Sequence, residues 1–259
     1  MNTAIVIPAR YGSTRLPGKP LLELAGRSLL RRVWDIARAV RGTAGVWIAT
    51  DDERIAGHAR SFGADALLTP AELATGTDRV RAALALMPRR PDAAVNLQGD
   101  AVLTPPWVVQ ALVDALAADP GIGMVTAAVR LDRAQEAELR ALKAKSPSSG
   151  TLVAIDRAGN ALYFSKAIIP FAREGKAAAL HRHIGIYGYA ASVLERLGTL
   201  PPSPLEIAEG LEQLRALENG IPIRVVPVDY RGRTHASIDT SADLEQAAAI
   251  IAREGELVP

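Results

Sequence analysis

The sequence predicts a single α/β domain, residues 1–259, with a mixed, mostly parallel sheet and helices on both faces. In the first half of the chain, short apolar runs of strand length alternate with segments whose apolar residues recur at helical spacing. The apolar runs are nearly continuous, which is typical of parallel strands buried on both faces. Since no linker, repeat or low-complexity tract interrupts the chain, we expect one domain.

The first half is predicted to alternate strictly between strand and helix. "TAIVIPA" (Thr3–Ala9) is apolar throughout, and "SLLRRVWDIARAV" (Ser28–Val40) has apolar residues at helical spacing. Thr77 or Asp78 is the expected N-cap of a later helix. The remaining elements, in order, are a strand "GVWIATD", a helix "DERIAGHARSFG" ending at glycine, a strand "ADALLTP", a helix "TDRVRAALALM", a strand "AAVNLQGD" that ends in a polar turn, and a helix "PPWVVQALVDALAADP".

The second half is predicted to add an inserted hairpin region. "LVAID-RAGN-ALYFSK" has two apolar runs around a polar turn, which indicates a β-hairpin. "PLEIAEGLEQLRALENG" is amphipathic and is predicted to be one helix that ends at Gly220. The other elements are a strand "GMVTAAVRL", a loop "AKSPSSG", a strand and helix "HIGIYGYAASVLERL", a strand "PIRVVPVDY" and a last helix "TSADLEQAAAIIARE".

Composition excludes several functional classes. A net charge of +2 gives no general attraction for nucleic acid or acidic membranes. The absence of cysteine excludes disulfides, thiolate metal sites and a cysteine nucleophile. Neither a membrane-spanning apolar run nor a signal-peptide pattern is present. We therefore expect a soluble cytoplasmic protein with no membrane or nucleic-acid partner.

The loop "PARYGSTRLPGKP" (Pro8–Pro20) concentrates positive charge after the first strand. It carries Arg10, Arg15 and Lys19 among Gly, Ser, Thr and Pro residues. The spacing of Gly12 and Gly18 and the proline after Lys19 exclude a Walker phosphate loop, and no dinucleotide G-x-G-x-x-G follows the strand. The loop is either an ordinary exposed turn or a phosphate-binding loop, because arginine and lysine both bind phosphate oxygens.

Two distant aspartates are candidate ligands for Mg²⁺, which prefers one or two carboxylates with phosphate and water oxygens. Asp100 ends "VNLQGD", and Asp239 precedes the last predicted helix. Each has a structural alternative, since Asp100 could be a simple turn residue and Asp239 a helix N-cap. Thr240 or Ser241 could cap that helix instead. Ligands of open α/β sheets lie beyond the carboxyl ends of the strands, where these segments and the cationic loop would meet.

A third candidate surface lies on the strand "HRHIGIYGY". Strand alternation places residues 183, 185, 187 and 189 on one face, with His183, Tyr187 and Tyr189 among them. Such a face could be an ordinary half-exposed sheet surface, or it could contact a hydroxyl-rich or anionic ligand.

The chain closely resembles the 3-deoxy-manno-octulosonate (Kdo) cytidylyltransferases along almost its whole length. The motifs that carry the resemblance are "PARYGSTRLPGKPL", "IATDDERIA", "TGTDRV", "VNLQGD", "ALYFSKAIIPF", "RHIGIYGY", "SPLEIAEGLEQLRALENG" and "IDTSADLE". The resemblance implies a Rossmann-like three-layer nucleotidyltransferase domain and a homodimer. It implies a Mg²⁺-dependent cytidylyltransferase that transfers CMP from CTP to an acidic acceptor and releases pyrophosphate.

The resemblance also implies roles for individual residues. Asp100 and Asp239 would hold Mg²⁺, and Arg10 and Lys19 would bind the CTP phosphates as catalytic groups, with Arg15 as a third candidate. The residues implied for the cytosine and ribose pocket are Pro8, Ala9 and the loop Thr75, Gly76, Thr77 and Arg79. Those implied for the acceptor are Gln98, His183, Tyr187, Glu212 and Gln213, while Tyr189 would be structural.

The chain departs from the family pattern at three places. Ala101 replaces an acid, with Val102 in place of a proline; Leu152 replaces a lysine and Leu73 a histidine. Ala101 and Leu152 could reflect a lost ion pair, or an acceptor pocket reshaped for another acid. The leading hypothesis is transfer to Kdo or a related sugar acid. The alternatives are transfer to a small phosphonate such as phosphonoformate, and a non-catalytic nucleotide-binding protein.

Overall fold

The computed structural model describes residues 1–12, 16–173 and 178–258. The strands are β1 (Thr3–Ala9), β2 (Glu23–Leu24), β3 (Arg27–Ser28), β4 (Gly45–Thr50), β5 (Asp65–Leu68), β6 (Ala93–Asn96), β7 (Met124–Arg130), β8 (Leu152–Ile155), β9 (Ala161–Ser165), β10 (His181–Ala190) and β11 (Ile223–Pro227). The helices are α1 (Leu29–Arg38), α2 (Glu53–Ser61), α3 (Gly76–Leu86), α4 (Pro106–Ala118), α5 (Arg133–Lys145), α6 (Ala191–Leu197), α7 (Pro204–Glu209), α8 (Leu214–Glu218) and α9 (Ser241–Glu254), with a 3₁₀ turn at Lys19–Leu21.

One nine-stranded sheet connects the two halves of the chain. Its main order is β11-β7-β10-β6-β1-β4-β5, and β8 joins it through β10 while β9 pairs with β8. The pairs β1–β4, β1–β6, β4–β5 and β11–β7 are parallel, whereas β10 is antiparallel to both β6 and β7. The mixed, mostly parallel α/β fold is therefore confirmed, and the inserted hairpin is β8–β9.

The sheet separates two apolar layers, as its alternating side chains require. Ile5 and Ile7 of β1 face a core that includes α1, α4 and α9. Ala4 and Val6 face the opposite core, which includes α3, α6 and α8. This three-layer arrangement fixes β1, β6 and β10 in the middle of the molecule, so the loops at their ends have rigid supports. Within the described ranges, no helix combines the length and apolar character needed to cross a bilayer.

The structure corrects one predicted element boundary and adds one helix that the sequence analysis did not predict. The N-cap of α3 is Thr75 rather than Thr77 or Asp78, and its Oγ1 accepts a hydrogen bond from the Asp78 amide. The polar turn predicted at the end of "AAVNLQGD" is confirmed: β6 ends at Asn96, and the Ala101 amide then donates to the Gln98 carbonyl. Helix α5 received no prediction, although a capping box of Asp132 and Gln135 begins it.

The segment predicted as one helix from Pro204 to Gly220 is two short helices. Gly210 ends α7 in the left-handed region, at φ 62°, which favours glycine. The break lies between Glu206 and Arg215, which form an ion pair of 2.5 Å that links α7 to α8. Glu212 and Gln213 therefore lie in the connecting turn rather than on a continuous helical face.

Candidate active site

Three distant residues, Lys19, Asp100 and Asp239, converge at one point beyond the carboxyl ends of β1 and β6. Lys19 begins the 3₁₀ turn, Asp100 lies in the turn after β6, and Asp239 lies just before α9. Lys19 Nζ donates to Asp100 Oδ2 at 2.7 Å and to Asp239 Oδ1 at 3.4 Å. Both aspartates predicted from the sequence therefore contact the same positive charge.

The start of α9 determines where the Asp239 carboxylate points. Thr240 is the N-cap, so the sequence alternative in which Asp239 caps the helix does not occur. Asp243 Oδ2 accepts hydrogen bonds from the amides of Asp239, at 2.9 Å, and of Thr240, at 2.8 Å. The capping box thus fixes the backbone of Asp239 while its carboxylate faces Lys19.

We expect Asp243→Ala to lower both stability and turnover, because it removes the acceptor that holds the Asp239 backbone. The lost cap costs about 1 kcal/mol of unfolding free energy, and we expect the rate to fall about tenfold through misplacement of Asp239. Urea unfolding and pyrophosphate release measure the two effects. Asp243→Asn is the matched control, since it keeps one acceptor oxygen; equal turnover of Asp243→Ala and the wild type would contradict the prediction.

The first cleft is a space of about 940 Å³, open to solvent, between the end of β1, the loop before α3 and the turn after β6. Gly99 permits a close approach there, because a Cβ at this position would lie 3.0 Å from the Pro8 carbonyl oxygen. A Cβ on Gly76 would lie 3.2 Å from Gln98 Oε1. The residues that line the cleft are Pro8, Ala9, Arg10, Lys19, Pro20, Leu73, Ala74, Thr75, Gly76, Arg79, Gln98, Gly99, Asp100 and Asp239.

Most residues predicted for CTP line this first cleft, with two exceptions. Arg15 lies outside the described residues. Thr77 faces away and its Oγ1 donates to Glu212 Oε2 at 3.0 Å. Arg79 is buried at the base, where it donates to Thr69 Oγ1 and forms a 3.1 Å ion pair with Asp51. Through these two contacts, Arg79 holds the first turn of α3 in place at the base of the cleft.

The second cleft, about 1500 Å³ and also open, lies on the other side of Asp239. Of the residues implied for the acceptor, His183, Tyr187 and Gln213 line this cleft, whereas Gln98 lines the first cleft. Glu212 lines neither, and burial raises its pKa while the hydrogen bond from Thr77 opposes that rise. The residues that line the second cleft are Leu139, Leu142, Ser148, Ser149, Gly150, Thr151, Lys166, Arg182, His183, Gly185, Tyr187, Leu211, Gln213, His235, Ala236, Ser237 and Asp239.

The rings of His183, Tyr187 and Tyr189 form one row, as strand alternation predicted. The centroids of His183 and Tyr187 are 5.4 Å apart, and those of Tyr187 and Tyr189 are 6.0 Å apart. Gly185 does not continue a regular pleat, because β10 bulges between Ile184 and Tyr187. Sequence reasoning missed Lys166, Arg182 and His235 in this cleft, although Lys166 lies within the motif "ALYFSKAIIPF" and Arg182 within "RHIGIYGY".

Comparison with known proteins identifies the family. A sequence model described as "Cytidylyltransferase" matches residues 4–224. The chain belongs to the cytidylyltransferase family. It is 49% identical to the 3-deoxy-manno-octulosonate cytidylyltransferase of Maricaulis maris (strain MCS10), with 100% of both chains covered. It is 48% identical to that of Anaeromyxobacter sp. (strain Fw109-5), with 97% of each covered.

A solved structure supports the same assignment for this cytidylyltransferase. The structure of CMP:2-keto-3-deoxy-manno-octonic acid synthetase complexed with CTP superposes with a TM-score of 0.88 at 37% identity, covering 98% of this chain and 100% of the other. The resemblance found from the sequence motifs is therefore confirmed, and so is the prediction of an enzyme of the nucleotidyltransferase class.

The three departures from the family pattern have different structural meanings in this cytidylyltransferase. Leu73 lines the first cleft. Leu152 lines neither cleft: it is fully buried in a small apolar cluster with Leu139 and Leu180. Ala101 is buried in the main core. Neither Ala101 nor Leu152 is among the residues that line the second cleft, so an acceptor pocket reshaped through these two positions stays a prediction.

His183 is a neutral hydrogen-bonding group in this cytidylyltransferase. Burial lowers its pKa to about 3, and neighbouring His235 acts in the same direction. Thr126 Oγ1 lies 2.8 Å from the Ile186 carbonyl oxygen and donates its one hydrogen there, so it accepts from His183 Nε2 at 3.0 Å. Nδ1 then carries the lone pair and can accept from a ligand hydroxyl.

This burial predicts that stability falls as the solution becomes acidic. The unfolded chain binds a proton at His183 near pH 6.5, whereas the folded protein resists protonation down to about pH 3. The group therefore removes about 2 kcal/mol of stability between pH 7.5 and 5. Urea unfolding of the wild type and of His183→Gln at both pH values measures this loss; an identical pH dependence in the two proteins would refute it.

The two carboxylates suit a divalent cation. The ammonium group of Lys19 already lies where a cation would contact both Asp100 and Asp239. Across the described ranges, no group of three or more His, Asp or Glu side chains could hold a metal ion. Mg²⁺ does not require such a group, since phosphate and water oxygens complete its shell.

Proposed function

We propose that this protein transfers CMP from CTP to 3-deoxy-manno-octulosonate (Kdo) and releases pyrophosphate, with Mg²⁺ as cofactor. The names of its relatives and the CTP complex of the solved relative support this substrate pair. The observation that carries the proposal is that Asp239 lines both clefts and also contacts Lys19. A transfer reaction needs such a junction, because the acceptor oxygen must meet the α-phosphorus of a nucleotide held next to it.

In this proposal the first cleft binds CTP. Arg10 and Lys19 hold the triphosphate, while Pro8, Ala9 and the loop before α3 contact the cytidine. Asp100 and Asp239 hold Mg²⁺, which would neutralise phosphate charge as pyrophosphate leaves. No side chain forms a covalent intermediate, so the protein acts by positioning and by stabilising charge.

The second cleft binds the sugar acid in this proposal. His183, Tyr187 and Gln213 supply polar groups that can bind hydroxyls, and Gln213 Nε2 is buried without a hydrogen-bond partner in the described part of the chain. Gln98, in the first cleft, would contact the acceptor near the junction. Glu212 would act indirectly: it accepts a hydrogen bond from Thr77 and so positions the first turn of α3, next to the loop that lines the first cleft.

A coupled pyrophosphate assay with CTP, Mg²⁺ and a panel of acceptors tests the function. We expect rapid release with Kdo and little with phosphonoformate. Faster turnover of phosphonoformate would favour the phosphonate alternative. Tight CTP binding without pyrophosphate from any acceptor would indicate a non-catalytic homologue.

We also propose that the protein works in the cytoplasm, where CTP is made, and that it forms a homodimer. Exposed apolar side chains, including Leu162 of β9 and Ile207 of α7, are compatible with a partner surface. Light scattering of the purified protein tests the dimer, which a monomeric mass would contradict.

A further inference from the structure

Arg182 is an unpaired guanidinium in the second cleft. It lies near the start of β10 and its Nε is buried without a hydrogen-bond partner within the described residues. No ion pair shorter than 4.0 Å involves it in ranges 1–12, 16–173 and 178–258. By contrast, three other enclosed arginines each pair with a carboxylate: Arg32 with Glu256, Arg79 with Asp51 and Arg215 with Glu206.

The charges around Arg182 do not neutralise it. Burial lowers its pKa, and Glu138 opposes this shift without forming an ion pair in the described chain. Lys166 lines the same cleft, and His183 and His235 are held neutral because burial lowers their pKa values to about 3 and 4. Lys143 is nearby, but its ammonium is saturated by carbonyls of the 147–150 loop and of Lys166. This end of the cleft is therefore positively charged.

An enclosed guanidinium without a partner is costly unless a ligand supplies the missing anion. The CTP phosphates have Arg10 and Lys19 in the first cleft, which Arg182 does not line. A planar carboxylate matches the guanidinium fork through two parallel hydrogen bonds. The remaining candidate anion is the acid group of the acceptor.

We propose that Arg182 binds the carboxylate of the acceptor and thereby restricts the enzyme to acidic sugars. The inference rests on the proposed function, since it assigns a contact within the acceptor cleft. A neutral sugar of the same shape would leave the guanidinium unpaired, which is a strong basis for rejection.

Steady-state kinetics of Arg182→Gln test this assignment. We expect the KM for Kdo to rise about 10- to 100-fold, as for loss of a charged hydrogen-bonded pair, while the KM for CTP stays within about twofold. Arg182→Lys keeps the positive charge but loses the planar guanidinium, so its KM for Kdo should lie between those of the wild type and Arg182→Gln. Arg224→Gln is the matched control, since Arg224 is a half-buried strand arginine that donates to Asn160 and does not line the cleft.

The amide of Kdo separates a carboxylate contact from a general change in the cleft. In the wild type, replacing the carboxylate with the amide should raise the KM about as much as Arg182→Gln does; in Arg182→Gln it should have little further effect. Equal losses in both proteins, or an unchanged KM for Kdo in Arg182→Gln, would overturn the inference. If Arg182→Gln does not fold, Arg182→Lys decides the same comparison.

The wild-type protein separates the two hypotheses. Absence of turnover with Kdo in the wild type would overturn the proposed function. The inference is then decided by thermal-shift titration of the wild type and Arg182→Gln with other sugar acids and their amides. Equal affinity of the two proteins for the acids would reject a carboxylate site at Arg182.

Discussion

Asp100→Asn is expected to reduce pyrophosphate release about a thousandfold while the protein stays folded. The substitution preserves the shape of the side chain but removes the negative charge that would hold Mg²⁺. A thousandfold loss is typical when one strong electrostatic contribution to a transition state is removed. Asp100 is partly exposed and its ion pair with Lys19 contributes only about 1 kcal/mol to stability, so unfolding should change little.

The comparison uses CTP and Kdo at saturating concentrations, with urea unfolding of the same samples. Asp119→Asn is the matched control, because Asp119 is an exposed aspartate beyond the end of α4. Chelation of divalent metal from the wild type should reproduce the Asp100→Asn defect, and added Mg²⁺ should reverse only the chelation. Wild-type turnover by Asp100→Asn would end the proposal that this carboxylate binds the metal.

Lys19→Met is expected to separate metal binding from catalysis. Without nucleotide, the Lys19 ammonium competes with a divalent cation for Asp100 and Asp239, so its removal should tighten Mn²⁺ binding about tenfold. Turnover should nevertheless fall about a hundredfold, because the triphosphate loses a positive charge. Opposite changes in these two quantities are the specific signature of a lysine that moves from the carboxylates to the phosphates.

Isothermal titration with Mn²⁺ and the pyrophosphate assay measure the two effects. Lys145→Met is the matched control, since Lys145 is exposed at the end of α5. Weaker Mn²⁺ binding by Lys19→Met would show that Lys19 organises the carboxylates instead of competing for them. An unchanged rate would remove Lys19 from the proposed triphosphate site.

The sequence was sufficient for the sheet because its strands carry strong local signals. A continuous apolar run such as Thr3–Ala9 is typical of a strand that is buried on both faces. The polar Gly-Asn turn between two apolar runs indicated the hairpin. The break at Gly210 was not predictable in the same way. Apolar periodicity continues across it, and the Glu206–Arg215 ion pair that stabilises the broken form depends on tertiary structure.

The site, too, was predictable only in part. Asp100, Asp239 and Lys19 follow strands or precede a helix, so topology alone brought them together. Arg182 was missed because strand alternation assigns it to the face opposite His183, whereas the second cleft takes side chains from both faces at the start of β10. The wrong N-cap of α3 has a simple origin: "TGTD" offers two threonines, and Thr75 has the required spacing to Asp78.

Gly210 has a consequence for attempts to broaden the acceptor range by directed evolution. The residue itself has no side chain, yet its left-handed backbone sets the direction in which Glu212 and Gln213 leave α7. Any other side chain would be strained there, and its Cβ would lie 3.3 Å from Lys166 Nζ. A mutant library should therefore keep position 210 constant and diversify its neighbour Leu211, which lines the second cleft.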